Sequence, residues 1–195
     1  VRNGVRLLVL SAAVLMAVGF LGHWVGLVML TTTLGPTAYL LLAQPENEQA
    51  RVRSAVLGHG AATACGLAML AAFGLWNARS VAVVHRESPA QILAQALAVG
   101  ATLLVLTLLD AHHPPAAATA LLITSGIARP GLPLFGMLAG LAALIALSAA
   151  LSLATRRSTS RHDPEPKGTR PCSPDRPPGS RRSAGSASAP RSPAS

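Results

Sequence analysis

The chain has 195 residues, 51% of them apolar and only 12% charged, and its 16 Lys and Arg against 7 Asp and Glu give a net charge of +9. That balance excludes an ordinary soluble globular domain and describes a polytopic membrane protein. The positive excess is unevenly placed: residues 1–154 hold seven Arg against four acids, a net of +3, and residues 155–195 hold eight Arg and one Lys against three acids, a net of +6.

Arg2 and Arg6 precede an apolar run over about residues 7–27, long enough to span a bilayer. Hydrophobicity continues through Leu42 instead of yielding to a polar mature region, which argues against a cleaved signal peptide. Gly22 and Gly26 stand four apart, a spacing that lets another helix approach closely. Thr31-Thr32-Thr33-Leu34-Gly35-Pro36 then breaks the run, and Pro36 suits the first turn of a new helix, where its missing N–H is not needed. The apolar stretch that follows, residues 37–43, covers only about a third of a bilayer. Residues 44–53 form the most polar segment before the tail and belong at an aqueous face.

Residues 54–76 predict a spanning helix rich in Ala and Gly, with His59 between Gly58 and Gly60, where another group can come close to the ring. A polar connector, 77–88, carries Arg79, His85 and Arg86; Pro89 opens the next spanning helix, which runs to Leu109. The chain then reads Asp110-Ala-His-His-Pro-Pro, continues as a short apolar helix over 115–125, and breaks at Gly126 and Arg129-Pro130-Gly131. Residues 132–154 form the last span, with Gly136 and Gly140 four apart. From Thr155 the composition of Arg, Ser, Pro and Gly predicts a disordered tail, expected to lie near anionic headgroups. It lacks interleaved aromatic residues, so nucleic acid is not expected as a partner. Cys65 in an apolar run and Cys172 in the tail make a bridge improbable.

A constant offset of 82 pairs Thr37 with Thr119, Ala38 with Ala120, Leu40 with Leu122 and Gly58 with Gly140. The pattern of spanning helix, break, short helix, polar loop and spanning helix repeats over about residues 5–76 and 87–154. The second short helix, about 16 Å long, cannot cross about 30 Å of hydrocarbon and is expected to re-enter or to be half of a broken helix. The expected fold is therefore an all-α membrane domain over residues 1–154 with four transmembrane helices and two short re-entrant half-helices whose N-termini meet. Six crossings with two broken helices is the competing topology. Either leaves both termini on one face, and the basic tail places them in the cytoplasm.

Half-helix N-termini inside a membrane offer unpaired N–H groups and a positive dipole end to an anion. After the prolines, the amides of Ala116, Ala117 and Ala118 are the candidate donors, with Thr119 and, from the other half, Gly35, Pro36 and Thr37 completing a substrate-binding shell around His113. Asp110, His112 and His59 are the candidate proton-handling or gating residues, because intramembrane ionisable groups cost about 2.5–3.5 kcal/mol on insertion scales and usually mark a site. Pro-Pro after a helix also serves as a plain turn, and Asp110 as a helix-end residue in headgroup water. Neither a nucleophile–base motif nor a phosphate-cradling loop appears, so an enzyme is not expected; nor is a cofactor or resident metal, adjacent histidines rarely converging on one ion.

His113-Pro-Pro-Ala-Ala-Ala-Thr-Ala-Leu121 resembles the signature of the HPP family of small integral membrane proteins, usually His-Pro-Pro-Ala-Gly-Ala-Thr-Ala, and 34–38 and 56–59 resemble its other segments. The resemblance covers about residues 5–153 and departs at Ala117, where the family commonly has Gly. It implies a domain of four predicted spans and, as for some members, nitrite transport. The function expected is transport of a small, nitrite-like inorganic anion in a multi-pass cell-membrane protein, in contact with lipid and as a homodimer enclosing the path. The alternatives are a non-transporting membrane scaffold whose basic tail engages lipid or a partner, and a membrane metal-binding protein.

Overall fold

A computed structural model describes residues 2–160, whose regular secondary structure is all helical, with no strand among them. In chain order the helices are α1 (Arg2–Val25), α2 (Leu34–Ala43), α3 (Val52–Ala72), α4 (Val81–Val84), α5 (Pro89–Leu108), α6 (Pro115–Thr124) and α7 (Leu132–Ser160), with a 3₁₀ turn, Glu48–Ala50, before α3. α1, α3, α5 and α7 are the four that are long and apolar enough to cross a membrane; α2 and α6 have ten residues each. α7 continues to Ser160, so the first residues beyond Ala154 are helical and not unstructured. The remainder of the expected tail, 161–195, lies outside the described residues.

The ends follow from local chemistry. α5 begins with a capping box, the Ser88 hydroxyl accepting from the Gln91 amide and the Gln91 side chain from the Ser88 amide, with Pro89 at the first helical position. α1 and α3 end where Gly26 and Gly74 take positive φ, letting Leu27 and Leu75 donate back to the carbonyls of Gly22 and Leu70. α5 ends the same way without a glycine: Asp110 takes φ 49°, and Ala111 donates to Leu106. The one-turn helix α4, in what reads from sequence as a plain polar connector, is capped by the Ser80 hydroxyl.

Two groups of three helices form. α1, α2 and α7 enclose an apolar core of Val14, Val18, Leu34, Ala38, Met137, Leu141 and Leu144. α3, α5 and α6 close on Ala62, Ala98, Leu106, Ala116 and Ala120. Segment 26–33 lies between α1 and α7. Gly22 of α1 faces Met29, Gly136 of α7 takes the Val28 carbonyl 2.6 Å from where a Cβ would stand, and Gly140 presses still closer on the Met29 carbonyl. Of the two expected close-approach pairs, Gly136 and Gly140 thus both receive backbone, whereas Gly26 closes a turn. Outside, Leu8, Phe20, Trp24, Leu97, Leu104 and Phe135 are exposed, an apolar surface suited to lipid.

Contact order sets the directions. Gly22 and Gly19 of α1 meet Met29 and Leu30 in turn, so the chain after Gly26 runs back along α1 into α2. Gly58 of α3 meets Ala116, and Gly66 meets Ile123, so α3 and α6 run parallel. Val5 and Arg6 of α1, Pro45 after α2, Val52 of α3 and Ala149 of α7 line one cleft of about 980 Å³, which puts the start of α1, the end of α2, the start of α3 and the end of α7 at the same end. At the far end of α6, the Ser125 carbonyl accepts from Val81, in the connector that follows α3. These contacts carry each short helix from one end of the bundle toward the other, unlike re-entrant half-helices, which would leave at the face they came from.

Candidate functional site

Several buried polar side chains from α2, α3 and the start of α6 gather at one place. His59, two turns into α3, is 4% exposed; His113, Thr37, Thr119 and Thr33 are wholly buried. The His59 ring is held from both sides: Nδ1 lies 2.8 Å from Thr119 Oγ1 of α6, and Nε2 lies 3.2 Å from Thr37 Oγ1 of α2. The same Nε2 is 3.2 Å from His113 Nε2, the two rings meeting edge to face with centroids 5.0 Å apart and planes at 71°. His113 Nδ1 lies 2.9 Å from the carbonyl of Gln49, in the 3₁₀ turn.

The partners fix where the protons sit. A carbonyl only accepts, so His113 donates from Nδ1 to Gln49, and as a neutral ring it leaves Nε2 bare. His59 must then donate from Nε2 to His113, sharing that proton with Thr37 Oγ1, whose own proton goes to the Thr33 carbonyl at 2.9 Å. His59 Nδ1 is therefore bare and accepts from the Thr119 hydroxyl. Every polar atom of the cluster has a partner. In a bilayer interior without water each orphan would cost about 1–3 kcal/mol, which explains why the set is so completely paired.

Backbone chemistry brings the rings together. A Cβ on Gly58 would stand 2.9 Å from His113 Cβ and 3.2 Å from Ala116 Cβ, so the glycine lets the start of α6 press against α3 beside the His59 ring. Pro115 is buried in the first turn of α6, and Ala116 is wholly buried. The Ala116 amide donates to the His113 carbonyl and the Ala117 amide to the Pro114 carbonyl, so these two close the turn and are not free donors. Hydroxyls and imidazoles supply the site's hydrogen bonds in their place.

The cluster thus unites His59, His113, Thr37 and Thr119 with Ala116 packed beneath; Ala117 and Ala118 are half-buried on α6. Gly35 and Pro36, on the first turn of α2, are exposed. Asp110 and His112 are exposed as well, forming a loose pair at 3.6 Å with side chains 95% and 58% accessible, outside the cluster. Among the described residues no three His, Cys, Asp or Glu side chains gather as a metal ion would require. Two members of the network were not singled out from sequence. Gln49 contributes only its carbonyl, which no residue type announces, and Thr33 reads as part of a helix break; its cue is its place four residues before Thr37, within reach of a back-bonded hydroxyl.

Neither curated proteins nor solved structures gave a match to the chain. A profile of the HPP transmembrane region matches residues 1–164, taking in all the described helices and both histidines of the cluster. With four long apolar helices and that match over most of its length, the chain is an integral membrane protein belonging to the HPP family.

Proposed function

We propose that this protein carries a small inorganic anion, nitrite-like in size and charge, across the membrane through the junction where α2 and α6 meet at His59. The observation that carries the reading is that Thr37 and Thr119, 82 residues apart, hydrogen-bond the two nitrogens of one buried imidazole from two short helices. In this reading the chain crosses six times, α2 and α6 being broken spans completed by segments 26–33 and 109–114, and both termini share the cytoplasmic face. The two halves are inverted repeats: an offset of 82 exchanges α1 with α5, α2 with α6 and α3 with α7, and so converts one three-helix group into the other. Burial supports it, since Ala55 and Met137, Ala62 and Leu144, Leu34 and Ala116, and Ala38 and Ala120 are all buried at that same offset. Inverted repeats with discontinuous helices at their interface are a recurrent transporter design, with the ligand bound where the broken helices face each other.

The chain acts as a carrier without covalent chemistry and without a cofactor, embedded in lipid in the cell membrane, and a homodimer would widen its hydrophobic footprint. His113, Thr119 and Thr37 face the guest when the cluster opens, the hydroxyls and imidazole N–H replacing part of its hydration shell. Purified protein in liposomes should take up nitrite above protein-free liposomes, and His113→Ala should lower that uptake by about tenfold or more while leaving expression and membrane insertion intact. Unchanged uptake would remove the site. A scaffold whose function resides in residues 155–195 would give no uptake in either form.

A further inference from the structure

We infer that the His59–His113 pair takes up one proton with each anion, so that the carrier is an electroneutral proton–anion symporter. This rests on the transport reading above and names its coupling ion. The geometry that carries it is the Nε2-to-Nε2 contact of 3.2 Å between two buried imidazoles whose outer nitrogens have opposite kinds of neighbour. On one side Gln49 offers a carbonyl, which can only accept; on the other Thr119 offers a hydroxyl, which can donate or accept.

In the neutral pair two ring protons are present, on His113 Nδ1 and His59 Nε2. A third proton, arriving at His59 Nδ1, passes the Nε2 proton across the contact to His113 Nε2. The pair now holds N–H groups at both His113 nitrogens and at His59 Nδ1, with one added proton and one added charge; Thr37 Oγ1 loses the share of the Nε2 proton it had and keeps its bond to the Thr33 carbonyl. The hydrogen bond between the rings survives with its direction reversed. Thr119 changes most: its hydroxyl, until then the donor to His59, becomes the acceptor, and its hydrogen is released to donate elsewhere. Protonation therefore creates, in one event, a cation and a free hydroxyl donor at the start of α6, which is what a monovalent anion needs. Loss of the anion removes the charge that holds the proton, and the pair returns to its neutral arrangement.

No other ionisable side chain competes at this place among the described residues. α5 and α6 carry none, and Tyr39 of α2 and Arg53 of α3 are exposed. In the flanking turns Glu48 pairs with Arg51, and Asp110 with His112, in solvent. Cys65 of α3 lies nearly two turns beyond His59, partly exposed.

The test uses the full chain in liposomes with a trapped pH-sensitive dye and nitrite as the probe, protein-free liposomes correcting for leak of nitrous acid. An inward nitrite gradient should acidify the lumen by one proton per nitrite, and a potassium–valinomycin potential of either sign should leave the initial rate unchanged. His113→Asn keeps an N–H donor for the Gln49 carbonyl and lacks the second nitrogen; it should fold and lose about tenfold or more of proton-linked uptake. Solid-state ¹⁵N spectra of histidine-labelled protein above neutral pH should show unlike tautomers, Nε2–H at His59 and Nδ1–H at His113. Nitrite uptake that follows the potential and leaves the lumen pH unchanged would overturn the symport while leaving transport standing, as would identical tautomers at both rings. No uptake above protein-free liposomes would overturn the transport reading and the symport with it.

Discussion

The α3–α5–α6 group and the α1–α2–α7 group share a pattern of buried positions and differ in what fills them. At an offset of 82, His59 corresponds to Leu141 and His113 to Thr31, while Gly58 corresponds to Gly140 and Thr119 to Thr37. One group is lined by Ala62, Ala111 and Ala116, with room for two imidazole rings; the other fills the same places with Leu144, Met29 and Leu34. The small residues and the helix-facing hydroxyls are thus common to both groups, and the ionisable pair belongs to one alone. Thr37 shows the consequence, since it reaches out of its own group to the ring nitrogen of the other. Packing and chemistry can therefore be separated by substituting corresponding positions.

The largest effect on stability is expected at the paired glycines. A Cβ on Gly140 would press into the backbone of Met29 more closely than a Cβ on Gly58 would approach the Cβ atoms of His113 and Ala116, at 2.9 and 3.2 Å, which give way only if the start of α6 shifts. Overpacking of this kind costs about 1–3 kcal/mol, and Gly140→Ala should lie at or above the upper end. Gly58→Ala should be milder in thermal unfolding yet reduce nitrite uptake, because it displaces the His113 ring. Equal melting temperatures for the two variants would mean that the groups do not differ in rigidity as their contacts imply.

Much of this was legible in the residues before any coordinates. Pro89 after Ser88, with Gln91 three residues on, marks the start of α5, and the apolar runs give the four long helices to within a few residues. The His-Pro-Pro segment and His59 stand out because polar groups in an apolar run need partners, and the structure makes them partners of each other. What could not be read was direction. The length of a ten-residue helix does not say whether its chain turns back or travels on, because segment 26–33 carries no periodic signal and is placed by Gly136 and Gly140 of a helix over a hundred residues away. Free amides at the start of α6 were also out of reach of sequence reasoning, since the local turn formed by His113 and Pro114 consumes them.

A second, smaller contrast concerns the hydroxyls. Thr119 makes the shorter bond to His59, 2.8 Å, as sole partner of Nδ1, while Thr37 shares Nε2 with His113 at 3.2 Å and already donates to Thr33. Thr119→Val leaves a buried ring nitrogen without a partner, at about 1–3 kcal/mol, and should lower nitrite uptake by about tenfold. Thr37→Val keeps His59 paired through His113 and should lower it by about threefold or less. Reversal of that order would indicate that the guest enters from the α2 side.

The smallest effect is expected at Asp110, the most conspicuous acid in the sequence. Its backbone takes φ 49° where α5 ends, the place that Gly26 occupies after α1 and Gly74 after α3, and its side chain points into solvent beside His112. Left-handed positions favour Gly and tolerate Asp or Asn, which is reason enough for an acid there. Asp110→Gly should therefore leave nitrite uptake within about twofold of the unaltered chain and stability unchanged or slightly raised, since Gly meets no Cβ penalty in this conformation. Asp110→Val, whose branched side chain is strained at positive φ, should destabilise by about 1–2 kcal/mol and also spare the proton-to-nitrite ratio of whatever folds. Were Asp110→Gly instead to abolish proton-linked uptake, the proton path would run through the exposed turn before α6, and the buried imidazole pair would be its terminus and not its whole length.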